Sequence, residues 1–242
     1  MPGGTYSALS GMQTRLEELD RIAADLANIG TAGYKTERAG SVAAERNAFA
    51  RVLESAVDVM GGERRVDFRT GTIATTGRTL DVAIQGKGFI AVDTPAGVRY
   101  TRNGSLTRGA DGTLMTSQGE PIANESGTGP IKLTAGEVAI DGDGTVRVGG
   151  SVAGKIRVVQ FSGADDLVRE SGSRFRAIAG ATPTPAEGGT LVSGSLEQSN
   201  ASAVDLMSKL TEVTRSFETL QRGISMINND LDARAISELA RR

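Results

Sequence analysis

The chain has 242 residues, 27 basic and 29 acidic side chains for a net charge of −2, and neither cysteine nor histidine. This composition excludes thiol and serine–histidine catalysis, Cys/His zinc sites and disulfides, and it lacks the basic excess of a nucleic-acid binder. No apolar run reaches the roughly 18 residues of a membrane span, and Met1-Pro2-Gly3-Gly4-Thr5-Tyr6 has neither the basic nor the apolar region of a cleavable leader.

The first element is an amphipathic helix. Leu9, Met12, Leu16, Leu19, Ala23 and Leu26 recur at spacings of three and four, which puts them on one helical face. The spacing predicts a helix over residues 7–29, roughly 35 Å long at 1.5 Å per residue, with Gly30 as the left-handed residue that ends it. Residues 39–60 read two ways: Val42, Ala43, Phe49, Val52, Leu53 and Val57 form a helical face, while Val57 and Val59 alternate as in a strand.

The centre is β. Of 32 glycines, 25 fall within residues 61–195. Leu80–Ile84 alternates, Gly86-Lys87-Gly88 turns into Phe89–Val92, and Val98–Thr101 leads to Asn103-Gly104, a hairpin dipeptide. Asp111-Gly112 and Gln118-Gly119 punctuate the next runs. Val138–Ile140 and Thr145–Val148 flank Asp141-Gly142-Asp143-Gly144, and Lys155–Phe161 alternates as one more strand. Turn signals at intervals of roughly 8–12 residues predict an all-β barrel or sandwich.

The last element is a second, longer helix. After Gly194 the only glycine is Gly223, and glycine costs about 1 kcal/mol against alanine inside a helix. Leu206, Leu210, Val213, Phe217, Leu220, Ile224, Ile227 and Leu231 alternate steps of four and three without a slip, the a/d pattern of a coiled coil. Asn200 or Ser202 is placed to cap it, with Asp205 in the first turn. The predicted fold is α+β: terminal helices from 1–38 and 199–242 paired as a coiled coil, a connecting segment over 39–60, and a central β domain over 61–198. The two stripes also fit a helical hairpin closing one subunit's own core. The surplus length of the C-terminal stripe favours contact with further subunits.

Candidate chemistry in the β region is sparse. Asp141 and Asp143 resemble part of a calcium loop but lack its third ligand position and distal glutamate, so a plain β-turn is expected. Gly86-Lys87-Gly88 has no third glycine at the nucleotide-fingerprint spacing. Asp165-Asp166 beside Gly163 and Ala164 reads as an exposed loop. The absence of Trp and only 4% aromatics make a poor sugar-stacking cleft. No catalytic, metal or cofactor-binding residue is therefore assigned. The candidate functional residues are those of the helical seam: Leu9, Met12, Leu16, Leu19 and Leu26 with Leu206, Leu210, Val213, Phe217, Leu220, Ile224, Ile227 and Leu231.

Several motifs then point one way. Tyr6-Ser7-Ala8-Leu9-Ser10-Gly11-Met12 and Leu26-Ala27-Asn28-Ile29-Gly30-Thr31-Ala32-Gly33-Tyr34-Lys35 resemble the N-terminal signature of bacterial flagellar rod and hook proteins. Leu80–Phe89 is similar to that family's "LDVAIxGxGFF", Tyr100–Gly104 to its "YTRNG", Asp111–Leu114 to its "DGxLV", and Gly194–Asn200 to its "GxLExSN". The matches keep the family's order over nearly the whole chain. Arg215-Ser216-Phe217-Glu218 fits the proximal rod group best. Ile29-Gly30, Ile90 and Ala201-Ser202 depart from the common pattern, and the distal rod stays open as an alternative.

The resemblance implies a non-enzymatic structural subunit of the flagellar basal-body rod, part of the hollow drive shaft for motility. It implies export by the flagellar type III apparatus without a cleaved leader, and a place in the periplasmic rod. It implies helical assembly through the terminal helices with other copies and other rod proteins, and no nucleic-acid partner or membrane insertion. Asn28, Thr31 and Asn200, near the helix ends, are the polar residues expected to cap or set register. The rival class is a periplasmic β-rich hydrolase or sugar-binding module whose helices close a dimer.

Overall fold

The computed structural model describes residues 2–39, 64–127, 129–186 and 188–239, apart from the side chains of residues 2–10, 39, 64, 164 and 227–239. Beyond Ala39, the two readings of residues 39–60 fall outside the described residues. The chain is α+β. Helix α1 spans Pro2–Ala27 and helix α2 spans Ala203–Leu239, with short antiparallel strands between them. It divides into two compact units. One takes the chain up to Leu26 and from Ser202 onward; the other takes Ala27–Arg38 and Arg65–Ala201.

Helix α1 starts at Pro2, five residues before the stripe predicts, and ends at Ala27. Pro2 suits a first turn, where its missing N–H has no helical partner to lose. Gly30 is not the left-handed residue; Gly33 is, at φ +66°. The chain leaves the helix through a turn in which Thr31 N–H donates to Asn28 O at 3.0 Å and Thr31 Oγ1 donates to Asn28 Oδ1 at 3.2 Å. Helix α2 is capped by Ser202, whose Oγ accepts from Asp205 N–H at 3.4 Å. Asn200 is occupied elsewhere.

In the β unit a six-stranded antiparallel sheet runs in the order Leu167–Ser171, Arg174–Ala177, Gly97–Thr101, Phe89–Thr94, Val158–Gln160, Thr184–Pro185. A three-stranded sheet holds Ser151–Lys155, Thr145–Val148 and Val138–Ile140. Strand pairs join Val82–Gln85 to Thr190–Ser193, Ile73–Thr75 to Ser195–Glu197, and Leu106–Arg108 to Leu114–Thr116. The strand Phe89–Thr94 divides the core. Ile90 and Val92 pack with Val82, Leu106, Ile122 and Ile156, while Phe89 and Ala91 face the other way, with Tyr100, Leu167 and Phe175. A strand covered on both faces must be apolar at successive positions, which is why Phe89-Ile90-Ala91-Val92 does not alternate. Phe89 meets Phe68 edge-on at 5.2 Å between ring centroids and Phe175 at 5.9 Å.

Two turn readings change. Asn103-Gly104 closes no hairpin. Asn103 Oδ1 accepts from Ser105 N–H at 3.0 Å, and Gly104 lies so close to Val82 that an added Cβ would sit 1.7 Å from its carbonyl oxygen. Close approach, and not a hairpin φ, is what demands glycine there. A tight hairpin with both central residues at positive φ lies at Gly149-Gly150, with φ +56° and +87°, between two paired strands. The predicted strand over 155–161 is split, because the backbone changes partners: Ile156 N–H donates to Gly144 O and Arg157 N–H to Ala123 O before Val158 pairs with Ile90.

Candidate functional site

Three places can carry function: the helical seam, the carboxylate-bearing turns, and the point where the chain enters and leaves the β unit.

In the helical unit, α2 buries Leu206 and Val213, while Leu210, Phe217, Leu220 and Ile224 are half-buried. On α1, Met12, Leu19 and Leu26 are half-buried and Leu16 is 48% exposed. The side chains of Leu9, Ile227 and Leu231 lie outside the described set. The deepest positions of α1 are Ile22 and Asp25, neither of them in the apolar stripe. They continue the line Arg15, Glu18, Ile22, Asp25, whose charges pair along the helix: Arg15 with Glu18 at 2.8 Å, and Arg21 with Asp25 at 3.6 Å. A reading of apolar spacing misses a face on which three positions in four are charged. The helices meet there. Arg15, Glu18 and Arg21 line one pocket of about 200 Å³ with Lys209, Glu212, Val213 and Ser216, and a Cβ added to Gly11 would lie 3.7 Å from Leu220 Cδ1.

The turns carry structure. Asp141 accepts from Arg147 Nε at 2.7 Å, and Asp143 accepts from the Thr145 N–H and hydroxyl at 3.0 and 2.9 Å. Those Thr145 bonds hold the Asp143 carboxyl below its ordinary value. Asp166 Oδ2 accepts from Gly163 N–H at 2.9 Å, capping the short 3-10 turn Ala164–Asp166, and Asp165 faces Arg65 at 3.3 Å. Gly86 and Gly88, at φ +108° and +136°, bend the chain between two strands. Among the described residues no group of three or more acidic side chains could hold a metal ion.

The third place is the most elaborate. Lys35, eight residues beyond α1, and Glu197, six residues before α2, are both fully buried and ion-paired to each other. Glu197 Oε2 also accepts from Arg102 Nη1 at 3.1 Å, and Arg102 is 4% exposed. Of the set's buried side-chain atoms only Arg102 Nε lacks a hydrogen-bond partner. Lys35 Nζ donates to Arg69 O at 2.9 Å, Arg102 Nη2 to Gly86 O at 2.9 Å, and Gly71 N–H to Glu197 Oε1 at 2.9 Å. The Arg102 guanidinium lies 5.4 Å from the centre of the Phe89 ring. Burial pushes the Lys35 ammonium below its ordinary value, and the hydrogen bond and charge of Glu197 oppose that. Removing Glu197 from such a set leaves two buried cations without their shared counter-charge, at a cost of about 3–5 kcal/mol.

Backbone geometry makes the set possible. Gly33 N–H donates to Glu197 O at 2.7 Å, and a Cβ on Gly33 would lie 2.2 Å from the Arg102 carbonyl carbon. A Cβ on Gly71 would lie 2.0 Å from Gln198 O. Asn200 completes the closure: its Oδ1 accepts from Thr36 N–H at 2.8 Å and its Nδ2 donates to Asp67 O at 2.8 Å. Arg169 binds from a third side, donating to Lys35 O and Glu37 Oε1 with its guanidinium 4.5 Å from the Tyr34 ring centre. None of Lys35, Arg102 or Glu197 stands out by spacing. Their one local signal is a charge within a glycine-bearing motif, and 162 positions separate the paired residues.

Arg102 and Glu197 lie within stretches of the chain that match known families. Residues 83–148 match the family described as "Flagellar hook protein FlgE/F/G D1 domain", and residues 192–237 match "Flagellar basal body rod FlgEFG protein C-terminal". The chain is 30% identical to the flagellar basal-body rod protein FlgF of Caulobacter vibrioides, over 100% of this chain and 99% of the relative. It is 31% identical to FlgF of Escherichia coli over 95% and 96% of the two chains. It is also 31% identical to FlgG of Bacillus subtilis over 88% and 90%. A likeness spanning the whole length of the chain places it in the family of flagellar basal-body rod proteins.

Proposed function

We propose that this chain is a FlgF-like subunit of the proximal rod that assembles through its terminal helices. As a member of the rod family it is a structural, non-enzymatic component of the flagellar basal body, and the hydrolase and sugar-binding readings fall with that membership. The observation that carries the proximal reading is the match to FlgF of Caulobacter vibrioides over the whole length of both chains. FlgG of Bacillus subtilis, at 31% identity over less of the chain, keeps a distal position as the second reading.

The helical unit supports assembly. In one subunit Leu16, Met207 and Met226 are 48%, 56% and 67% exposed, and much of the α2 stripe is only half-covered. The seam residues from Leu9 to Leu26 and from Leu206 to Leu231 would pair α1 with α2 as a coiled coil and engage other copies and neighbouring rod proteins. Interdigitated a/d side chains at crystalline packing density supply the stiffness a drive shaft needs. Delivery by the flagellar export apparatus to a rod in the periplasm completes the reading.

The test is to tag the β unit, purify basal bodies from cells carrying the tagged chain, and locate the tag by electron microscopy. The expected result is label at the base-proximal end of the rod, and loss of rods and swimming when the gene is deleted. Label at the far end supports the distal reading. Basal bodies that form normally without the chain, and never contain it, refute both.

A further inference from the structure

We propose that Glu197 is a folding latch: the β unit reaches its stable state only once Glu197 has docked, so only a chain present through that residue can complete the unit. The inference stands on the buried ion set itself and needs no particular position in the rod.

The argument is a donor count. Glu197 satisfies four donors from three earlier stretches: Gly33 N–H at its carbonyl, Lys35 Nζ and Gly71 N–H at Oε1, and Arg102 Nη1 at Oε2. No other carboxylate bonds to Lys35 or Arg102 among the described residues. Before Glu197 arrives, two cations would have to enter a dry site together with no counter-charge. Buried charges are tolerated only when paired, so the site stays open and hydrated until then. The strand Ser195–Glu197 is also the last in chain order, and it pairs with the distant Ile73–Thr75. Three close contacts show that the closed state has no slack: Gly33 against Arg102, Gly71 against Gln198, and Gly104 against Val82.

Arg102 lies at the end of the strand Gly97–Thr101 and stacks on Phe89. Its loss of a partner therefore reaches the six-stranded sheet and not the chain ends alone. The latch also ties together the two stretches through which the chain passes to α1 and to α2, so a folded β unit always has both attachment points in place.

The experiment uses the full chain in three forms: unaltered, Glu197→Gln, and the triple variant Lys35→Met, Arg102→Met, Glu197→Leu. Thermal unfolding and amide exchange are read on each. Glu197→Gln keeps shape but puts an amide against two cations. Its unfolding midpoint is expected to fall by roughly 10 °C, with exchange protection lost in Phe89–Thr94 and Gly97–Thr101 as well as at Gly33 and Gly71. The triple variant, with no charge left to compensate, is expected to recover at least half of the fall. If Glu197→Gln does not fold while the triple variant does, the latch stands. An unchanged midpoint in Glu197→Gln overturns it. So does protection lost only at Gly33, Thr36 and Gly71, or a triple variant as unstable as the single one.

Discussion

The β unit buries full charges with partners, and the helical unit leaves large apolar side chains in solvent. Lys35 and Glu197 have no exposed side-chain surface, yet their bonds are all met within the unit. Met207 and Met226 on α2 are more than half exposed, although the helix carries the longest apolar stripe in the chain. A unit that pairs its own buried charges is expected to fold for itself. A unit with a half-covered apolar stripe and exposed methionines beside it gains stability when other surfaces arrive. The same contrast separates stability from assembly, and substitutions in the two units should separate them too.

The largest effect on folding is expected at Gly33. Its φ of +66° and the 2.2 Å approach of a built Cβ to the Arg102 backbone leave no room for a side chain. Gly33→Ala should lower the β unit's stability by about 3 kcal/mol or more, read from the urea midpoint. Gly30→Ala, where nothing lies within 4 Å of a built Cβ and φ is not positive, should be neutral or slightly stabilising. Equal costs at the two sites would show that the tight entry into the β unit is not what demands glycine.

Next is Phe217→Asp. Phe217 is half-buried in the single subunit, so the cost to the helical unit should be about 1–3 kcal/mol, with the β unit's unfolding unchanged by circular dichroism. In cells the same change puts a carboxylate in a seam that other helices should cover, and rods and motility should be lost. Cells that swim with Phe217→Asp would break the seam as the assembly surface.

The two units were also unequally legible. The long helix was plain in its heptads and its missing glycines, and the β character of the centre in its turn dipeptides. The buried face of α1 was not, because Arg15, Glu18 and Asp25 share it with Ile22, and apolar periodicity cannot see a face held by ion pairs. Asn103-Gly104 misled for a related reason: glycine serves close approach as readily as positive φ, and only the neighbouring Val82 backbone tells which. Lys35 and Glu197 were visible only as letters inside motifs. Nothing local pairs residues so far apart, although Ser195 and Glu197 on the buried side of one strand hint that this glutamate points inward.

Acid should weaken the β unit before the helices, by less than the Gly33 change. The Arg99 hydrogen bond, helped by the charges of Arg99 and Arg174, holds the Glu170 carboxyl below its ordinary 4.5 against the opposing effect of burial. Asp67 is pushed up by burial but held below 3.8 overall by Arg69 and Arg38. For a carboxylate lowered in the folded state, the stabilisation is present above the unfolded value and is lost as pH falls through the folded one. The urea midpoint should therefore be flat down to about pH 5 and decline steadily below it. Replacing Glu170 with Gln should lower the plateau and flatten the upper part of the decline. A midpoint that rises on acidification would contradict the assignment.

The smallest effect is expected one residue from the second-ranked site. Glu218 is off the a/d stripe, 55% exposed, and paired with Arg222 at 3.5 Å across one helical turn. Exposed pairs of this kind contribute about 0.3–0.5 kcal/mol, and screening by salt reduces even that. Glu218→Gln should thus change the helical unit by at most about 0.5 kcal/mol and leave swimming near normal. The value of the pair lies in its geometry. Phe217 and Glu218 are adjacent in sequence but about 100° apart around the helix axis, so a loss of motility confined to Phe217→Asp assigns assembly to one face of α2. If Glu218→Gln stops rod formation as well, α2 is gripped on more than its apolar stripe, and neighbouring subunits recognise its charged flank.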